Sequence, residues 1–351
     1  MSVLLLDRAS FPRDKACGDG VAPHVLDLLS EVGVDGLVDD MVPVSRLRLS
    51  RGEATVARTM ARPAWVVPRT VLDHRLLETA RAAGAHVEHH RARALDTQPG
   101  DLVRVDDVAA ARLVVGADGA QSVVRRTLGL PRGRTALALR GYAPTPAARR
   151  GEQTIVFGTN RQPSYAWCFD RGDGMANVGY GEVLTEQRPA PARPALIEEL
   201  ERLLPGATTG ASDWRGHQLP LSSWAWAHPS GRVLLAGDAA GLVNPLTGEG
   251  IYHAVLSGLL AGRVAAATLA RGDPYHAGTS YRRAVHTMLG RHRQHTAVAA
   301  RLAARSGVVH AGLRAAAADP KVFQDLVELG LGRGSLTRPV LRGLARELLG
   351  R

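Results

Sequence analysis

Apolar runs that stop at small-residue turns recur along the chain. Val3-Leu4-Leu5-Leu6 ends at Asp7, Leu113-Val114-Val115 runs into Gly116-Ala117-Asp118-Gly119, and Val233-Leu234-Leu235-Ala236 ends at Gly237-Asp238. Continuous apolar runs of this length predict strands buried on both faces, as in a parallel sheet. Elsewhere the period changes. Val25, Leu26, Leu28 and Leu29 predict a helix ending near Gly33, and Leu72 to Ala83 predicts another closed by Gly84, with Pro68 leaving residues 65–69 extended. Short strands are expected over 86–95, 102–105 and 112–116. From about residue 132 to 224, strand-like pieces such as Thr154 to Phe157, Tyr165 to Phe169 and Ala176 to Tyr180 predict a mostly antiparallel lobe. A Pro-rich linker from Arg188 to Pro194 and a helix to Leu204 belong to it. Ile251 to Arg271 predicts one long Ala/Leu/Gly helix, and the chain from Tyr281 onward is helical. The expected fold class is α/β with an α+β lobe inserted. A Rossmann-like sheet would be built from residues 1–131 and 225–275, a substrate lobe from 132–224, and a helical region from 276–351.

Composition narrows the function. The 351 residues carry a net charge of +11, and every cation except Lys15 and Lys321 is arginine. Aromatics are 4% and no basic block is interleaved with them, which argues against nucleic acid as a partner. Two cysteines, Cys17 and Cys168, build no disulfide framework and fit a reducing compartment. No run reaches the roughly 18 apolar residues of a membrane span, and no signal peptide precedes Asp7, so the expected location is cytoplasmic. The arginine-rich helices from Tyr281 to Arg314 leave open a peripheral contact with anionic lipid. No metal site is expected, because His89-His90 and the His292, His295 pair lack a carboxylate or cysteine at ligand spacing. No Gly-x-Ser-x-Gly elbow suggests a hydrolase.

The aspartate turns carry the chemistry. In a parallel sheet, ligands collect at the carboxyl ends of strands. Gly116-Ala117-Asp118-Gly119 ends one such strand, with Ser122 placed to cap the next helix. Asp238 ends another, where a carboxylate needs hydrogen bonds, for example from the hydroxyls of a ligand. Gly248 and Gly250 strip side chains from the start of the helix that follows, so a flat ligand can approach its N–H groups. Tyr165, Trp167 and Phe169 alternate and therefore share one strand face, a wall suited to a long apolar substrate or to ordinary packing. Cys17 is a candidate catalytic thiol, since Arg13 and Lys15 in its loop would favour thiolate; equally it is a small residue that lets backbone approach a ring. Trp224-Ala225-Trp226-Ala227-His228-Pro229 is read as packing.

Taken together these segments resemble the geranylgeranyl reductase family of FAD-dependent oxidoreductases, within the flavoproteins that include aromatic hydroxylases and halogenases. The resemblance rests on Asp7, the Arg13-x-Lys15-x-Cys17-Gly18-x-Gly20 loop, Arg69-x-x-x-Asp73-x-x-Leu76, the Gly-Ala-Asp-Gly turn, Tyr165-x-Trp167-x-Phe169 and the run from Gly237-Asp238 to Ile251. It implies FAD as cofactor. Asp7 would bind the adenosine ribose and Ala94 would lie near the adenine. Arg13, Lys15, Cys17, Gly18 and Gly20 would run along the flavin with Arg69 close by. Asp118 would lie at the cofactor, Asp238 on the ribitol–pyrophosphate portion, and Gly248, Gly250 and Ile251 against the ring. The implied reaction is hydride transfer to a C=C bond of a prenyl or other apolar substrate, with NAD(P)H or a ferredoxin-like carrier as reductant. Asp170 departs from the proline usual after the last aromatic, which leaves the end of that strand open.

One departure is larger. The family opens with a strand and a Gly-x-Gly-x-x-Gly turn, and this chain contains no such turn, starting about 30 residues into a βαβ unit. A start assigned too far downstream is favoured over a degenerate copy or a second polypeptide, because the remaining flavin positions are intact. The chain as written is expected to bind FAD weakly or fold poorly. Alternative readings are an FAD monooxygenase of an aromatic or polyketide-like substrate, and a non-catalytic remnant.

Overall fold

The three apolar runs become short strands that pair in twos. The computed structural model describes residues 1–97, 100, 102–224, 226 and 228–350. Its first half contains β1 (Leu4–Asp7), β2 (Gly20–Val21), α1 (Pro23–Ser30), β3 (Val44–Arg51), β4 (Ala54–Val66), α2 (Arg69–Ala82), β5 (His86–His89), β6 (Leu95–Asp96), β7 (Val103–Val105), β8 (Ala109–Ala111), β9 (Val114–Gly116) and α3 (Val123–Thr127). Then come β10 (Thr135–Pro144), β11 (Glu152–Phe157), β12 (Ser164–Asp170), β13 (Met175–Val183), α4 (Arg193–Leu203), β14 (Ser212–Pro220) and β15 (Val233–Leu235). Five helices close the chain: α5 (Ile251–Ala270), α6 (Ala277–Ala303), α7 (Ser306–Ala318), α8 (Pro320–Leu331) and α9 (Arg338–Leu348).

β1 pairs parallel with β5, and β15 parallel with β9, as separate two-stranded sheets. The expected 86–95 strand is interrupted. At His90 the chain turns, its Nε2 2.7 Å from Asp106 Oδ2, before β6 joins a three-stranded sheet with β7 and β8. Arg69 is the first residue of a helix rather than the end of an extended segment. Val71 and Leu72 N–H donate to Pro68 O at 2.8 and 3.0 Å, a place where the missing N–H of proline costs nothing.

The dominant element is an eight-stranded sheet in the order β14-β10-β13-β12-β11-β3-β4-β2, antiparallel except where β11 meets β3. Residues 44–66, assigned by sequence position to the first lobe, thus extend the sheet of the second. Asp170, where family pattern and sequence part, ends β12 as a staple: its carboxylate accepts from Thr145 Oγ1 at 2.8 Å and Gly151 N–H at 2.6 Å. One sheet face packs on α4 through Val178, Tyr180, Leu196 and Leu200. On the β3–β4 side the sheet is covered by α7, α8 and α9. α5 is the one helix among the described residues long and apolar enough to cross a membrane, and it packs on α1 and α6 through Leu256, Leu260 and Tyr281.

Candidate functional site

Between the sheet and the ends of α5 to α9 lies a cavity of about 600 Å³. Its floor follows from strand register. Leu49, Ile155 and Trp167 are neighbours across β3, β11 and β12, and so are Leu47, Gln153 and Phe169. Phe157 lies opposite Tyr165. Alternation puts all of these on the cavity side. The three aromatics pack edge to tilted, with ring centroids 5.9 Å apart for Tyr165 and Trp167 and 6.3 Å for Trp167 and Phe169. Trp167 can lie flat only because its partner on β13 is Gly179. A Cβ there would sit 2.2 Å from Trp167 Cζ2 and 2.3 Å from Leu139 O.

One end of the cavity is polar. Lys15 Nζ donates to Asp238 Oδ2 at 3.2 Å, and His217 Nε2 lies 3.9 Å from the same oxygen. Arg69 grips Asp73 with two bonds of 2.7 and 2.9 Å, and Arg13 reaches Asp73 at 2.9 Å. Gly237 and Gly241 take positive φ around Asp238, and Gly250 directly precedes the first turn of α5. Gly248 takes φ 71° and a Cβ there would lie 3.3 Å from Leu219 Cδ1, whereas at Gly250 a Cβ would make only an ordinary contact with Val243 Cγ2 at 3.4 Å. Tyr165 Oη donates to Thr247 O, tying the aromatic wall to this turn.

Beneath the 11–20 loop is a polar network that the sequence did not disclose. Asp19 is fully buried with φ 58°, and its Oδ2 accepts from Tyr142 Oη at 2.6 Å and Asn177 Nδ2 at 2.8 Å. Asn177 also donates to Cys17 O at 2.8 Å and accepts from Trp167 Nε1 at 2.8 Å. One amide therefore joins the loop to the aromatic wall. Arg140 stacks on Tyr142 at 4.3 Å, donates to Lys15 O at 3.0 Å and pairs with Asp14. Burial pushes Asp19 up to about 6, against the hydrogen bond from Tyr142 and the charge of Arg140. For Asp14 burial is outweighed by Arg140 and Arg215, which hold its carboxyl below the ordinary range.

Of the residues singled out by sequence, Lys15, Cys17, Gly18, Gly20, Arg69, Tyr165, Trp167, Phe169, Asp238, Gly248, Gly250 and Ile251 all line this cavity. Asp7, Arg13, Ala94 and Asp118 do not. Asp7 accepts from Ala9 N–H at 2.8 Å at the end of β1, and Ala94 N–H donates to Asp106 at 2.8 Å. Asp118 accepts from Val123 N–H at 2.6 Å, beside Ser122, which caps α3 as expected by accepting from Arg125 N–H at 2.9 Å. Of the two readings of Cys17, the small residue fits better than the thiolate: burial pushes the thiol up, and the pull of Arg69 and Lys15 does not reverse it. Its Sγ accepts from Asp19 N–H at 3.3 Å. Trp226 is packed, donating to Ala240 O at 2.8 Å beside Tyr281, but Trp224 is 54% exposed and does not pack, and residues 225 and 227 of that motif lie outside the described residues. Among the described residues no three or more His, Cys, Asp or Glu gather as a metal site.

A flat ring fits the glycine-lined end of the cavity. Glycines at 18, 248 and 250 let backbone approach, a twenty-residue helix presents its positive end, and Lys15 and Arg69 supply cations. The family model described as FAD binding domain matches residues 1–274. A menaquinone reductase of Mycolicibacterium smegmatis is 34% identical over 325 residues, covering 83% of this chain and 75% of that protein. A digeranylgeranylglycerophospholipid reductase of Methanopyrus kandleri is 32% identical over 299 residues, covering 77% and 76%. The chain belongs to the geranylgeranyl reductase family of FAD-dependent oxidoreductases. The crystal structure of a geranylgeranyl bacteriochlorophyll reductase-like protein from Thermoplasma acidophilum superposes with a TM-score of 0.76 at 20% identity, covering 99% of this chain and 90% of that one. As an FAD-dependent oxidoreductase of this family, the chain has a site larger than its motifs. Leu47, Leu49 and Met60 from β3 and β4, and Leu313, Val327 and Leu344 from the last three helices, complete the cavity wall. Their only sequence signal is apolar periodicity, which does not say what they face.

Proposed function

We propose that the chain reduces a C=C bond of a prenyl or other apolar chain held in this cavity. The observation that carries the reading is continuity: one cavity runs from the glycine turn at Gly248–Ile251 past Trp167 to Leu313 and Leu344, and its far part is walled by aliphatic side chains. Such a shape suits a long apolar ligand whose reacting end meets the cofactor. FAD, when bound and reduced, would supply a hydride to one carbon of the C=C bond, a proton drawn from the polar end of the cavity would saturate the other, and NAD(P)H or a ferredoxin-like carrier would replenish the reduced cofactor. Lys15, Arg69, Asp238, Gly248, Gly250 and Ile251 hold the cofactor, and the positive end of α5 favours charge on its reduced form. Tyr165, Trp167 and Phe169 orient the substrate and keep water from the reacting bond. Cys17 keeps its proton on Sγ at the cavity wall. The names of the relatives put a quinone and a digeranylgeranyl phospholipid among the substrates to try first.

Leu313→Trp tests the reading. Leu313 is buried on α7 at the aliphatic end of the cavity, so an indole there obstructs the channel far from the cofactor residues. FAD loading should be unchanged, and turnover of a long-chain substrate should fall at least about tenfold while a short-chain analogue is spared. Equal loss for both chain lengths would remove the channel from the account.

A further inference from the structure

The helix that closes the far end of the cavity is apolar on its outer side as well. α9 runs eleven residues from Arg338 to Leu348. Its inner side contributes Val340 and Leu344 to the cavity wall. Its outer side exposes Leu341 at 49% and Leu348 at 53%, and Leu349 follows at 72%. Leu341, Ala345 and Leu348 fall at helical spacing, and Arg338, Arg342 and Arg346, also exposed, form a second row beside them at intervals of four. The acid on this helix, Glu347, is paired with Arg314 at 3.2 Å and lies 3.6 Å from Arg346, which leaves the face cationic.

We propose that the outer face of α9 docks on an anionic bilayer surface and brings the apolar end of the cavity against the lipid. An apolar row flanked by arginines is the composition of an interfacial helix: leucines enter the acyl boundary and guanidinium groups meet phosphates. The occupant follows from charge, because a row of three arginines beside the leucines finds its complement in anionic headgroups. Position gives the docking a purpose. α9 carries the cavity-wall residues Val340 and Leu344 on one side and the exposed leucines on the other, so lipid at its outer face lies one helix away from the site of a substrate with negligible solubility in water. The arginine-rich stretch from Tyr281 to Arg314, expected from sequence to be the lipid-facing part, is a poorer candidate. In α6 its apolar residues Tyr281, Val285 and Leu289 face the core, and its exposed positions are largely polar. The inference extends the proposed function by saying where the substrate enters. It is read by binding alone, so it stands or falls separately from the reaction.

The experiment is vesicle flotation of the purified chain with phosphatidylcholine alone and with added phosphatidylglycerol, at low and high salt. The intact chain should float with the anionic vesicles and much less with the neutral ones. Leu341→Ser/Leu348→Ser/Leu349→Ser should weaken binding by about tenfold for each leucine replaced. Arg338→Gln/Arg342→Gln/Arg346→Gln should weaken it by about fivefold per arginine and flatten the salt dependence. All six positions are exposed, and the circular dichroism melt of each variant reports folding; if one variant fails to fold, the other decides. The proposal is overturned if the intact chain stays unbound at low salt or if both variants float as well as it does. It is also overturned if the leucines hold two copies together, seen as a dimer that the leucine variant splits and that binds no vesicles.

Discussion

Asp19→Asn isolates the least expected feature of the site, a carboxyl buried within the 11–20 loop. The ordinary value of 3.8 is raised to about 6, a shift near two units, and each unit is worth about 1.4 kcal/mol. The sign follows from linkage. The folded protein holds this proton more tightly than the unfolded chain, so ionisation opposes folding, and stability drawn from the neutral form is lost as pH rises from about 4 through about 6. Asparagine keeps the shape, tolerates φ 58°, and can accept from Tyr142 and Asn177 through its own oxygen, but it never ionises. The stability of D19N relative to the parent should therefore rise by about 3 kcal/mol between pH 4 and pH 7. Urea unfolding of both proteins across that range measures it, and taking the difference at each pH cancels titrations elsewhere in the fold. A difference independent of pH, or one that moves the other way, would refute the reasoning.

Two further outcomes concern the same wall and loop. Gly179→Ala places a methyl 2.3 Å from the carbonyl of Leu139 and 2.2 Å from the indole of Trp167, so it should cost about 3 kcal/mol in a denaturant melt and red-shift tryptophan emission; an unchanged melt would contradict the packing. Because burial keeps Cys17 protonated, its alkylation by iodoacetamide at neutral pH should lag behind that of a free cysteine and rise through the alkaline range. A fast rate at neutral pH would restore the thiolate.

What sequence disclosed, and what it did not, divides along the range of the interactions. The apolar runs at Leu4–Asp7, Val114–Gly116 and Val233–Leu235 are local patterns, and each forms a strand. The long helix from Ile251 and the alternation of Tyr165, Trp167 and Phe169 are local too. β3 and β4 went unread because arginines at 46, 48, 51, 58 and 62 break their apolar pattern, and the pairing of β3 with β11 spans about a hundred residues. The network of Asp19, Arg140, Tyr142 and Asn177 is assembled from three segments, the 11–20 loop, β10 and β13, so no spacing announces it. Its one hint was an aspartate between two glycines in the 11–20 loop. For Cys17, counting nearby cations registers charge, whereas burial, the larger influence on its thiol, comes from contacts that no spacing shows. Asp118 shows the converse, since an aspartate turn that matches a cofactor motif also satisfies the N–H groups of its own helix.

The central claim is that this flavoprotein delivers reducing equivalents to an apolar C=C bond. The most direct measurement is an anaerobic single turnover of the FAD-loaded chain, reduced beforehand and mixed with a prenylated quinone or a digeranylgeranyl lipid. Flavin absorbance should return without oxygen, with one C=C bond saturated for each flavin oxidised. A flavin that stays reduced until oxygen is admitted, with hydroxylated product and matching oxygen uptake, would contradict it.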